Sequence, residues 1–195
     1  NFLECEHLTT LDLINLETPL PQADDDDEAI LYQQKGLAHE VAYVDHLRNS
    51  VSRLVDVSGY GNDLDAAVSA TQDAMRAGAD IIYQATLREG CFMGHADFLR
   101  QVTLPSSLGN FSYEVIDTKL ARTTKAAYLI QLCFYSELIA HIQGHDPLMM
   151  HIVLGDSREV SYRHANYSRY YRFLKQRFVN RVNSQASETY PDLCD

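Results

Sequence analysis

The chain has no C-x-x-C pair: its four cysteines, Cys5, Cys91, Cys133 and Cys194, stand at wide and uneven intervals. That spacing excludes a short secreted disulfide framework and the soft-ligand pattern of a thiolate metal site, and reduced thiols in a cytosolic protein are the simplest account. No apolar run approaches the roughly 18 residues of a membrane-spanning helix, and no basic segment precedes an apolar one as in a secretory leader. A cytoplasmic location without membrane contact is therefore expected. Lys and Arg are absent from residues 1 to 28, which hold nine acids, whereas residues 157 to 181 hold seven bases and one acid. The net charge of −11 argues against a general nucleic-acid coat but conceals this basic end.

What is present is ordinary globular material. The 195 residues, 46% hydrophobic and 22% charged, suffice for one domain with a core that needs no covalent staples. A single domain over 1–195 is expected. Because the first residue is Asn and not Met, the chain is expected to be processed or part of a longer protein.

Apolar residues between Phe2 and Leu16 predict a short helix, broken at Pro19 and Pro21. The run Asp24 to Glu28 fits the first turn of the next helix, where the macrodipole favours acids; its consecutive acids lack the alternating ligand positions of a calcium loop. That helix is predicted from Asp26 to Asn49, with Ile30, Leu31, Leu37, Val41, Val44 and Leu47 as a largely buried stripe. Gly36 inside it implies a packing or ligand-approach reason, and His39 and Glu40 follow. Further on come a short strand from Arg53 to Val57, a capping loop at residues 58–63 and a helix at 64–76 that stops at Gly78.

The period then changes to that of a meander. Ala79 to Leu87 reads as a strand, Arg88-Glu89-Gly90 as its turn and Cys91 to Val102 as the antiparallel partner; Ser112 to Lys119 follows as the third strand. A helix is predicted from about Ala121 to Gln143, a strand from Met149 to Leu154, and a last helix from about Ala165 to Val182. The last helix interleaves aromatic residues with Arg169, Arg172, Lys175 and other bases. Two readings of that face stand, a solvated basic surface and a surface for a DNA backbone.

The third strand carries the chemistry. Side chains alternate along a strand, so Asp117 and Lys119 share one face while Glu114 and Ile116 share the other. A D-x-K tripeptide can be an ion pair on an exposed edge. It can also hold a divalent cation on the carboxylate and aim a water with the ammonium. Asp97 on the preceding strand would lie beside Asp117.

The order of His39 on a helix, Gly94-His95-Ala96-Asp97, Asp117-Thr118-Lys119 and a helix with Gln131-Leu132 and Tyr135 resembles the RecB-like branch of the PD-(D/E)XK nuclease superfamily. It is similar, more closely, to bacterial RecB-like nucleases joined to superfamily I helicases, through Leu3 to Leu8, Gly78 to Ala85 and Tyr113 to Arg122. The resemblance implies an α/β (α+β) fold with a restriction-endonuclease-like core, a central mixed sheet flanked by helices. It implies a metal-dependent deoxyribonuclease acting on DNA ends or single strands in repair, recombination or defence, beside a helicase module in cis or trans. Its metal ligands would be His39, Asp97 and Asp117, holding Mg²⁺ or Mn²⁺, with Lys119 positioning the water and Gln131 and Tyr135 bracing the site or touching DNA. His95 would support and not ligate, and Glu114 is left out by strand alternation. Relatives such as AddB and CRISPR-associated RecB-like exonucleases bind a [4Fe–4S] cluster through one early and three late cysteines. Cys5 and Cys194 occupy the two ends here, so either the cluster is lost or the natural chain continues past Asp195; Cys91 and Cys133 are expected to be core thiols. A rival expectation is a catalytically silent nuclease-fold module that binds DNA or scaffolds a partner.

Overall fold

The computed structural model describes residues 6–21 and 27–183. The elements in order are α1 (Glu6–Glu17), α2 (Asp27–Arg48), β1 (Leu54–Asp56), α3 (Leu64–Arg76), β2 (Ile81–Glu89), β3 (Phe92–Val102), β4 (Ser112–Thr118), α4 (Ala126–Gln143), β5 (Met149–Val153), β6 (Glu159–Arg163) and α5 (Ser168–Asn183). Six strands form one mixed sheet in the order β1-β2-β3-β4-β5-β6. The chain is thus an α/β protein with a central mixed sheet flanked by helices. Its two parallel pairs, β1/β2 and β4/β5, are each bridged by a helix, α3 and α4, because parallel neighbours need a long crossover. Between them β2, β3 and β4 run as the antiparallel meander the sequence predicts.

The ends of these elements follow local chemistry. Asp63 caps α3 by accepting from the Ala66 amide at 3.1 Å, a contribution of about 1 kcal/mol. Gly78 (φ 68°) and Gly144 (φ 83°) end α3 and α4 in the left-handed region that favours glycine. β2 continues two residues beyond the predicted strand, so the turn falls at Gly90 and Cys91. Cys91 is accordingly exposed and not a core thiol, while Cys133 in α4 is buried as expected. β6 escapes sequence prediction because it is a short edge strand alternating exposed and half-buried residues.

The sheet separates two cores. Val115, Leu99, Ile82, Leu132, Leu138 and Met75 belong to the larger one, beneath α3 and α4. Ile116, Phe98, Ile81 and Val153 point the other way, against Val44 and Leu47 of α2. Only those two positions of the predicted α2 stripe are buried. Ile30, Leu31, Leu37 and Val41 are 41–61% exposed: the periodicity marks a face, but burial needs a partner, and the sheet reaches only the C-terminal part of the helix. Gly36 has no tight neighbour; a β-carbon there would meet Leu120 Cδ1 at an ordinary 3.9 Å. No helix among the described residues is long and apolar enough to cross a membrane. Cys5, Cys194 and Asp24 to Asp26 lie outside the described residues.

Candidate active site

β4 is the most enclosed strand, and its alternation delivers Asp117 into the larger core, 1% exposed. Lys119 Nζ lies 2.6 Å from Asp117 Oδ2. Asp117 Oδ2 is buried, and beyond this ion pair no well-formed hydrogen bond reaches it among the described residues. Burial, then the neighbouring Asp97 charge, push the Asp117 carboxyl up to about 7 against the pull of Lys119. Burial opposes the charged form of Lys119 as well, but the Asp117 carboxylate outweighs it and holds the ammonium above its ordinary value. A buried carboxylate without its full set of donors binds a proton or a cation.

Asp97 comes from β3. The Thr118 amide and hydroxyl both donate to its Oδ2 at 2.8 Å. The two aspartates therefore lie next to each other at the point where β3 and β4 part, one residue beyond the last paired position, Phe98 with Ile116. α4 closes the other side. Gln131 Nε2 donates to Tyr135 Oη at 2.8 Å, and burial, despite that donor, raises the Tyr135 phenol, which also feels Asp117 and Asp97. Lys119 Nζ sits 5.4 Å from the centre of the Tyr128 ring, a cation–π contact that sequence reading missed. Asp97, Asp117, Lys119, Gln131 and Tyr135 are thus brought together.

His39 of α2 approaches the same strand end, since the Val153 carbonyl it meets also accepts from the Lys119 amide at 2.9 Å. Its Nε2 lies 3.4 Å from the Val153 carbonyl, and it lines a cavity of about 820 Å³ beneath α2 with Tyr43, His46, Asp80, Arg100 and Glu159. Among the described residues no three of His, Cys, Asp and Glu converge to hold a metal ion. The contact between His39 and Val153 could not be read from the sequence, since the two are 114 residues apart. Hard carboxylate oxygens, one buried and lacking a donor, do suit Mg²⁺ or Mn²⁺, which keep several waters when few protein ligands are offered.

Two further placements matter. Glu114, excluded by alternation, accepts from the Met149 amide and from His151 on the other face of the sheet, both at 2.9 Å. Of the three basic residues singled out on α5, Arg169 and Arg172 are exposed, but Lys175 is committed to Glu137 at 2.8 Å and lies 4.0 Å from the Phe92 ring centre. Lys175 is therefore an internal strut and not a phosphate contact. His95 pairs with Thr86 Oγ1 at 3.1 Å.

Gln84 and Glu40 are the residues sequence reading passed over. Gln84 Nε2 donates to Glu40 Oε1. The available signal was an amide in the middle of a strand and an acid directly after His39.

No protein-family model matches the chain, and it matches no curated protein sequence at a significant level.

Proposed function

We propose that this chain is a RecB-like nuclease of the PD-(D/E)XK superfamily that hydrolyses DNA phosphodiester bonds at ends or in single strands. The observation that carries the reading is the buried, donor-poor Asp117 carboxylate with Lys119 2.6 Å away and Asp97 beside it. The meander followed by a helix with Gln131 and Tyr135 suits a restriction-endonuclease-like core. When bound, Mg²⁺ or Mn²⁺ would lower the pKa of a coordinated water and neutralise phosphate charge. Asp97 and Asp117 would hold the ion. Lys119 would orient the nucleophile, and Tyr135, fixed by Gln131, would border the scissile phosphate. The exposed face of α5 supports a DNA contact: the helix has no acid, and Tyr170 and Phe173, 59% and 56% exposed, stack at 6.4 Å between Arg169, Arg172 and Arg177.

The same reading includes a cytoplasmic setting, a helicase module in cis or trans, and a [4Fe–4S] cluster on Cys5 and Cys194 if the natural chain supplies the remaining cysteines. The test is digestion of linear single- and double-stranded DNA with Mn²⁺ or Mg²⁺ by the protein and by Asp117→Ala and Lys119→Ala. Loss of cutting in both variants is expected; undiminished cutting would sink the assignment. The engagement of His39 with Val153 favours a second reading, a silent nuclease-fold scaffold, which predicts DNA binding without cutting by the folded wild type.

A further inference from the structure

The β2–β3 ladder has one gap. Tyr83 pairs with Phe98 and Ala85 with Ala96, and the intervening position, Gln84 opposite Asp97, is unpaired. At that gap both strands change phase: Ile82 and Ala85, three residues apart, face the same core, and so do Ala96 and Leu99. A regular strand would put residues three apart on opposite faces. The cause is visible in the backbone. Gln84 has φ 54°, one of two described non-glycine residues at positive φ. Glutamine gains nothing from that conformation, so something must hold it there. Its side chain is held by Glu40 of α2, on the turn next to His39, and the same carboxylate also engages Tyr83.

The consequence for Asp97 follows from geometry. Freed from the ladder, its carboxylate reaches across to the amide and hydroxyl of Thr118, near enough to Asp117 for its charge to be felt there. Glu40 is close enough for its charge to be felt at Asp117. We infer that Glu40 and Gln84 are positioning residues: the Glu40 carboxylate clamps the left-handed backbone of Gln84, and that kink sets Asp97 beside Asp117. The inference rests on the nuclease reading only for the use to which the two aspartates are put. Glu40 acts through Gln84 and not as a ligand.

The experiment uses Gln84→Ala, Glu40→Ala and Glu40→Gln in the full chain, with two measurements. Exchange of the Thr118 amide in metal-free protein reads the bond to Asp97, and Mn²⁺ affinity, by titration calorimetry, reads the aspartate pair. Gln84→Ala and Glu40→Ala should speed Thr118 exchange at least tenfold and weaken Mn²⁺ at least fivefold. Glu40→Gln, which keeps an acceptor for Gln84 Nε2, should leave both within about twofold of wild type. Unchanged Thr118 exchange in the alanine variants overturns the inference. A Glu40→Gln protein that loses Mn²⁺ as badly as Glu40→Ala also overturns it, by making Glu40 a ligand. If the wild type bound no Mn²⁺, the nuclease reading would fail while Thr118 exchange still decided the clamp.

Discussion

Gly94 of β3 lies directly against Tyr135 of α4: a β-carbon on Gly94 would stand 2.6 Å from Tyr135 Cε1 and 2.9 Å from Phe134 Cε1. The absence of a side chain thus sets how closely the helix bearing Gln131 and Tyr135 approaches the strand bearing Asp97. Gly94→Ala should cost about 1–3 kcal/mol by overpacking, read from urea midpoints, and should lower any nuclease activity further than the stability loss explains. A variant as stable and as active as wild type would show that α4 can retreat without consequence.

Gly155 imposes a harder limit. Its β-carbon would lie 2.2 Å from the Leu120 carbonyl oxygen, a backbone atom that cannot swing aside, immediately after Lys119. Gly155→Ala is expected at or above the upper end of the overpacking range, about 3 kcal/mol, with a displaced Lys119. Gly59, which has no neighbour within 4 Å of a built β-carbon, is the control, and Gly59→Ala should be near neutral by thermal denaturation.

His151 provides the pH dependence. It is buried with Glu114 at 2.9 Å on one side and Glu159 at 3.2 Å on the other. Burial disfavours its charge, but hydrogen bonds to the two carboxylates win and raise it. A raised histidine stabilises fully below its unfolded value of about 6.5 and loses that contribution as pH rises through the folded one. Glu159, drawn down to about 2 first by its bond to His151, stabilises above the unfolded carboxyl value of about 4.3 and loses this as pH falls toward 2. His151→Gln should therefore cost most between about pH 4.3 and 6.5, on the order of 3 kcal/mol, and clearly less at pH 9. A loss independent of pH would mean that the imidazole acts as a neutral spacer.

On α5 the two kinds of base should separate. Arg169→Ala with Arg172→Ala should reduce single-stranded DNA affinity in EDTA and flatten its salt dependence by roughly 1.4 in log–log slope, with an unchanged melting temperature. Lys175→Met should do the reverse, because its partner is Glu137; the pair is about a quarter exposed and is worth about 1 kcal/mol or less. Equal binding losses would return Lys175 to the DNA surface.

The sequence by itself determined the period of most elements, β6 excepted, and the identity of the chemical groups. Alternation alone put Asp117 with Lys119 and sent Glu114 to the opposite face, and Asp63 and Gly78 announced both ends of α3; these depend on neighbours within a few residues. The pairing of Asp97 with Asp117 was legible as a meander, but not its means. Gln84 reads as an ordinary strand residue until Glu40, 44 residues earlier, is seen holding it out of the ladder. The α2 stripe reads as buried until the sheet proves to cover only Val44 and Leu47. That His39 meets the end of β5 at the Val153 carbonyl is equally invisible in the sequence. Each of these was decided by a partner distant in sequence, and local propensity carries no information about which backbone group or carboxylate will arrive.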